Sequence, residues 1–375
     1  MDLNEIDLEL SMQLPKINTQ PLPFYGYDRL DYAMNRGIEI TPGGRLWAVW
    51  VGGGDNETAF SILAYSDQGG EAWSDPCLVI DLHDDKLPCP RHSRVCNLWT
   101  DPLGRLWLFF EQSLGNYDGR AGNWAICCCN PDSSNRIWST PRRIWHGMTL
   151  NKALALSTGE WLLPISLWPR HLISMQFAEC YRELDGFRMA NVFASKDQGE
   201  TWERRSGVLY PKSNFDEHTI IERKDGSLWM LARTEMGIFE SRSTDRGIHW
   251  SEPCKYMEHI SSRFHIRRLR SGRLLLIKHG LHIGEKTERR SHLCAFLSDD
   301  EGSNWTSGLI LDEREGVSYP DGAQGSDGTI YISYDRNRAT DAEILMAKFS
   351  EEDILEGRLM CKKSRLRMLV TGIKK

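Results

Sequence analysis

The 375-residue chain holds no run of about 18 apolar residues, so no part of it is expected to cross a membrane as a helix. Its start, Met1 to Leu10, carries four acidic residues and no apolar core, which is not the pattern of a secretory leader. A field of positive charge is also missing. With 46 Lys and Arg against 52 Asp and Glu the net charge is −6, and no nucleic-acid partner is expected. None of the ten cysteines forms a CxxC pair, which argues against a structural zinc site. Cys127, Cys128 and Cys129 are consecutive, and neighbours on a strand point to opposite faces, so they do not build a disulfide framework. All ten are read as reduced thiols and the protein as cytoplasmic. His279 and His282 have no third metal ligand nearby and are read as loop, so neither a metal nor a cofactor is expected. Helical pattern is scarce. Only Phe177 to Leu184, inside an insertion from Trp168 to Arg188, and Glu351 to Leu355 show it.

What the chain has in quantity is Trp (14), Gly (32) and Pro (15), the composition of many short strands joined by tight turns. Two repeats organise it. The first is a turn running into an apolar strand, Gly-x-Leu-Trp. It occurs at Gly44-Arg45-Leu46-Trp47, Gly104-Arg105-Leu106-Trp107 and Gly226-Ser227-Leu228-Trp229, with variants starting at Gly159, Gly272 and Gly328. These six copies lie 46 to 67 residues apart, the length a four-stranded propeller blade needs with its loops. The second repeat is Ser-x-Asp-x-Gly-x-x-Trp. Clean copies run from Ser195 to Trp202, Ser243 to Trp250 and Ser298 to Trp305. A slipped copy lies around Ser66, Asp67, Gly69 and Trp73, and a decayed one ends at Trp138. The Asp side chain accepts bonds from nearby backbone N–H groups, and the Gly permits a positive φ.

This second repeat is the Asp-box, and on it the chain resembles the sialidase (neuraminidase) superfamily. The expected fold is all-β: one six-bladed β-propeller of four-stranded antiparallel blades with Asp-box hairpins. It would span residues 1–375, with 1–30 as an N-terminal extension closing or flanking the ring. The Asp-box also decorates propellers that are not sialidases, so it argues for fold and leaves the chemistry to the site.

The resemblance extends to single residues. Sialidases carry a Glu nine residues before the Gly of an Asp-Gly turn and an Arg seven residues after that Gly. In this chain those offsets give Glu217 and Arg233 around Asp225-Gly226. The resemblance makes Glu217 the base that activates the nucleophile and Arg233 one of three arginines holding a substrate carboxylate. Tyr319 stands nine residues before Gly328, the place of the family's nucleophilic tyrosine, although Pro320 follows it where the family has Ser. Tyr334-Asp335 takes the place of the family's Tyr-Glu, and Asp335 is taken as a substrate contact. Arg290 resembles the third carboxylate-binding arginine, with Arg289 as the alternative one residue away. Asp55, in the Gly-rich segment Gly52 to Thr58, falls about where the family has its general acid, with Glu57 as competitor. A phenol suits this role because a sialic acid has a carboxylate on its anomeric carbon, which repels an anionic nucleophile. The phenol then needs a base beside it.

One departure bears on the substrate. Sialidases open their first blade with Arg-Ile-Pro, whose arginine belongs to the carboxylate triad. Here the strand reads Asn35-Arg36-Gly37-Ile38, with Arg36 displaced by two residues, a shift that keeps a residue on the same strand face. Arg94, Gln112, Asp118, Arg120, Asn151, Lys152 and His265 are further polar candidates for the centre, of which Asp118 and Arg120 are taken as substrate contacts. The resemblance implies a retaining exo-glycoside hydrolase acting on a terminal acidic, sialic-acid-like sugar without a cofactor. A lyase or isomerase acting on another carboxylated small molecule, and a non-catalytic carbohydrate-binding propeller, are the competing readings. No oligomeric state is implied.

Overall fold

A computed structural model describes residues 8–9, 12–87 and 89–372. The acidic start, Met1 to Asp7 together with Leu10, lies outside the described residues. Six antiparallel sheets follow one another along the chain as the blades of a propeller. They cover Met34–Ile80, Arg91–Trp145, Leu154–Val208, Thr219–Met257, His265–Asp312 and Val317–Thr371. Each blade is a four-stranded meander. In the second blade the inner position is split into Arg91–His92 and Cys96–Thr100, both paired with the long strand Leu106–Leu114.

The six Gly-x-Leu-Trp glycines explain the regularity of these meanders. Gly44, Gly104, Gly159, Gly226, Gly272 and Gly328 all sit at φ between 80° and 88°. That left-handed conformation suits glycine far better than any side chain. Each closes the hairpin between the innermost strand and the next, at the bottom of the ring. The Asp-boxes close the hairpins further out in the same way. Ser195, Ser243 and Ser298 each accept the amide of the box glycine through Oγ at 2.8–2.9 Å. Asp197, Asp245 and Asp300 each accept the amide four residues on at 2.8–2.9 Å.

Blades pack face to face, so each sheet needs two apolar faces. Leu46–Gly52 and Leu106–Leu114 are therefore buried along their whole length instead of alternating. Val49 and Leu63 of the first blade meet Leu98 and Leu108 of the second. Leu275 and Ile277 of the fifth meet Ile332 and Ala347 of the sixth. The ring closes between the first and last blades through side chains: Asn35 Nδ2 donates to Tyr319 O (2.7 Å), and the Ile38 amide donates to Asp321 (3.0 Å).

Helix is nearly absent. Glu351–Glu356 is helical, opened by a capping box between Ser350 and Asp353. The helical pattern at Phe177 to Leu184 gives only short 3₁₀ turns, at Arg170–Leu172, Met175–Phe177 and Arg182–Phe187. Tertiary anchoring replaces helix propensity there: Phe177 is fully buried, and Arg170 bonds the Asp185 carboxylate at 2.6–2.9 Å. Among the described residues no helix is long and apolar enough to cross a membrane.

Candidate active site

Because the blades are antiparallel meanders, the starts of the innermost strands and the loops between second and third strands gather on one face. That face opens into a cavity of about 310 Å³ lined by Arg36, Asp55, Arg94, Glu217, Arg233, Arg290, Tyr319 and Arg338, with a wall of Leu150, Trp168 and Phe215. Six of the residues singled out from the sequence, together with Arg94, thus face one space. The insertion contributes to it too: Trp168 and Leu172 form part of the wall, and Trp168 packs edge-on against Phe215 at 5.0 Å.

At the floor, Arg233 Nη1 donates to Glu217 Oε1 at 3.0 Å and to Tyr319 Oη at 3.3 Å. Glu217 is fully buried, and burial alone would push its carboxyl up. The charges of Arg233 and Arg263, with hydrogen bonds from Tyr319 and Arg233, outweigh that and hold it below the ordinary carboxylate range. It is therefore an anion at neutral pH beside a phenol. Both residues sit in the left-handed region, Glu217 at φ 44° and Tyr319 at φ 52°. Bulky residues seldom adopt that conformation, and it costs on the order of 1–3 kcal/mol at each position. The surrounding bonds maintain it. Asn35 holds Tyr319 O, and Asn151 Nδ2 holds Glu217 O at 2.6 Å.

The guanidinium groups surround the phenol ring. Arg36, Arg290 and Arg338 lie 5.4, 5.6 and 4.2 Å from its centroid. Arg36 arrives there by a route that strand alternation does not describe. It is the extra residue of a β-bulge between Asn35 and Gly37, so the chain ejects it toward the centre. Arg290 is held by Ser318 Oγ and Ser261 O, both at 3.0 Å. Arg289 is exposed and pairs with Glu315, away from the cavity. Asp55 stands at the mouth with a side chain 55% exposed, beside Arg94 at 3.9 Å. Arg94 in turn grips Asn116 at 2.6 and 2.9 Å. Glu57 is exposed and does not line the cavity.

Three residues taken as substrate contacts lie elsewhere. Asp118 is a buried turn carboxylate accepting the amides of Arg120 and Ala121 at 2.9 and 2.7 Å. These turn bonds keep Asp118 out of the cavity lining, although Asn116 and Tyr117 of the same loop are part of it. Arg120 lies over the Tyr181 ring at 4.5 Å and donates to Leu8 O. Asp335 is fully buried behind the cavity, accepting from the Asn35 amide at 2.9 Å and from Arg338 Nε at 3.0 Å. Burial pushes its carboxyl up, against the pull of Arg338. Arg338 itself is the residue sequence reasoning missed. The signal was present, since it follows the sixth Gly-x-Ile-Tyr strand in the same class of loop that carries Asp55 and Arg290.

Beneath the floor lies a polar layer that plugs the channel. Asp321 is fully buried and binds Arg263 (3.1 Å), Lys152 (2.9 Å) and His265 (3.4 Å). Lys152, His265 and Asn151 face the opposite, lower mouth of the channel. Gln112 donates to Gln13 O, outside the cavity. His279 ends the strand Leu274–His279 instead of standing in a loop, and its buried ring stacks on His259 at 5.6 Å. Among the described residues no cluster of three or more His, Cys, Asp or Glu could hold a metal.

The buried histidines predict an acid limit. Burial pushes His218 and His265 down to about 4 and His279 to about 3. An unfolded chain protonates them below about 6.5, whereas the fold does not. The stability they contribute is therefore present above pH 6.5 and lost as pH falls toward 4. Asp216, pushed up to about 6 by burial, works in the opposite sense and offsets only one of the three. The melting temperature is expected to fall by at least about 5 °C between pH 7 and pH 4.5. A flat profile in scanning fluorimetry would show that these histidines are not held neutral by the fold.

Comparisons with known proteins agree with this architecture. Residues 44–332 match the family described as BNR repeat-like domain. No curated protein matches the chain. Among solved structures, a protein of unknown function from Dyadobacter fermentans DSM 18053 is 16% identical with a TM-score of 0.60, covering 82% of this chain and 91% of its own. The Hadza microbial sialidase Hz136 is 17% identical with a TM-score of 0.65, covering 86% of this chain and 66% of its own. The intramolecular trans-sialidase from Ruminococcus gnavus, in complex with oseltamivir carboxylate, is 13% identical with a TM-score of 0.63, covering 88% and 96%. At such identities these structures share the fold, and the family match spans most of the chain. The chain belongs to the BNR repeat-like domain family, on a six-bladed β-propeller.

Proposed function

We propose that the protein is a retaining exo-glycoside hydrolase that removes a terminal acidic sugar of the sialic-acid type. The observation that carries this reading is the contact of one guanidinium, Arg233, with both a buried carboxylate and a phenol inside an arginine-lined cavity. The arginines hold the carboxylate on the anomeric carbon. Glu217 removes the phenol proton as Tyr319 Oη bonds to that carbon. Asp55, at the mouth, protonates the departing glycosidic oxygen. In the second half Asp55 takes a proton from water, the water oxygen bonds to the anomeric carbon, and the Tyr319–carbon bond breaks with return of the Glu217 proton. Two displacements retain the configuration.

The fold neighbours called sialidases support this reading. The arginines gathered at Tyr319 also weaken the case for the lyase or isomerase, which rested on the missing first-blade motif. The test is hydrolysis of α-ketosides of N-acetylneuraminic acid followed by proton NMR, where the first product is expected as the α anomer. Asp55→Ala is expected to slow a sugar leaving group by about 100-fold and a 4-nitrophenol by less than tenfold, because only the poor leaving group needs its proton. A first product in the β form, or an unsaturated product, would overturn the mechanism.

A further inference from the structure

We infer that the cavity is built for a ligand with two negative charges, and that Arg338 is the residue that sets this preference. The inference deepens the reading above, on which it rests only for calling the ligand a sugar. Four guanidinium groups surround Tyr319: Arg36, Arg290 and Arg338 face its ring, and Arg233 bonds its oxygen. Two carboxylates answer them, Glu217 on Arg233 and Asp335 on Arg338, each at 3.0 Å. Asp55 and Arg94 offset each other at the mouth. Four cations less two anions leave two positive charges.

Those two charges have an address. Among the described residues, no carboxylate lies within 4.0 Å of the guanidinium nitrogens of Arg36 or Arg290. Arg36 is only 4% exposed, and its Nε has no hydrogen-bond partner. A buried charge without a partner is costly, and a ligand that supplies the partner recovers that cost. A ligand with one carboxylate leaves one positive charge unbalanced, and a ligand with two acidic groups balances both. The three-arginine set implied by the resemblance, with the same two carboxylates, would balance a single carboxylate. Arg338 is the addition that changes the count.

Size narrows the ligand further. About 310 Å³ is the lower end of the range for small-molecule sites, room for one sugar ring. Both acidic groups therefore belong to the same residue: the carboxylate on the anomeric carbon, and a second carboxylate or a sulfate ester on the ring or its side chain. The planar fork of arginine serves either.

The test reads binding alone, so it stands or falls independently of hydrolysis. Benzoate, phthalate and 2-sulfobenzoate are titrated into the protein at pH 7.5 by calorimetry at constant ionic strength. Phthalate or 2-sulfobenzoate is expected to bind at least tenfold more tightly than benzoate, and the tighter of the two identifies the second group as carboxylate or sulfate. Arg338→Met is expected to bring that ratio below threefold. Because that variant leaves buried Asp335 unpaired, Arg36→Met, which strands no carboxylate, is measured in parallel and is expected to lower the ratio likewise. Equal binding of benzoate and both dianions by the unaltered protein would overturn the inference. So would a ratio unchanged in the folded variants.

Discussion

Tyr319→Phe is expected to lower kcat by about 1,000-fold or more, some 4 kcal/mol of barrier, while KM changes less than about threefold. The two halves of this expectation come from different atoms. The ring is what Arg36, Arg290 and Arg338 face, and phenylalanine keeps it. In the proposed reaction the oxygen is what bonds to the anomeric carbon, and phenylalanine removes it. Arg233 loses one acceptor at 3.3 Å and keeps the stronger one, Glu217 at 3.0 Å, so the clamp stays in place. A loss confined to kcat is the signature of a group that acts only at the reacting centre. Retention of more than a tenth of the activity would remove Tyr319 from the chemistry. A rise in KM equal to the fall in kcat/KM would make it a positioning residue.

What could be read from the sequence was what is written locally. The blade count comes from Gly44, Gly104, Gly159, Gly226, Gly272 and Gly328 because each hairpin needs a left-handed residue at a fixed place in its own turn. Glu217, Arg233 and Tyr319 stand at set offsets from those turns, so the same register that counts blades also places the side chains around the centre. Arg36 is different. Its approach depends on a bulge, and an extra residue in one strand shows only against its partner strand. Asp118 and Arg120 occupy the right class of loop but fold back on the chain, a choice made by the Asp118 turn bonds and by Tyr181 from a distant insertion. Arg338 was concealed for the opposite reason. The expectation stopped at Asp335, the acidic residue of the dipeptide, whereas the structure uses that acid to aim the arginine three residues later. The plug beneath the floor joins residues from the third, fifth and sixth blades and has no signature along the chain.

That plug carries the largest expected effect on stability. Arg263 is 1% exposed, and its three bonds run to Asn151 Oδ1 (2.9 Å), Arg36 O (2.9 Å) and Asp321 Oδ1 (3.1 Å). Arg263→Met keeps an unbranched stem, shorter than arginine by the guanidinium head, and deletes all three bonds. The carbonyl of Arg36 then loses its guanidinium donor, and Asp321 keeps only Lys152 and His265 as charged or titratable partners. Removing one partner of a buried ion pair costs about 3–5 kcal/mol. The loss is also expected to reach the candidate active site, since Asn151 is the residue that bonds Glu217 O and Arg36 is the residue on the bulge. Arg263→Met is therefore expected to lower the free energy of unfolding by about 3–5 kcal/mol and to raise KM in the folded fraction. Adding Asp321→Asn, which removes the carboxylate that lost its Arg263 partner, is expected to return part of the stability without restoring KM, because Asn151 Oδ1 and the Arg36 carbonyl stay without their guanidinium donor. Denaturant titration and steady-state kinetics on the two variants separate these effects. A cost below about 1 kcal/mol, or a double variant no more stable than the single one, would show that the layer is not held by the Arg263–Asp321 charge pair.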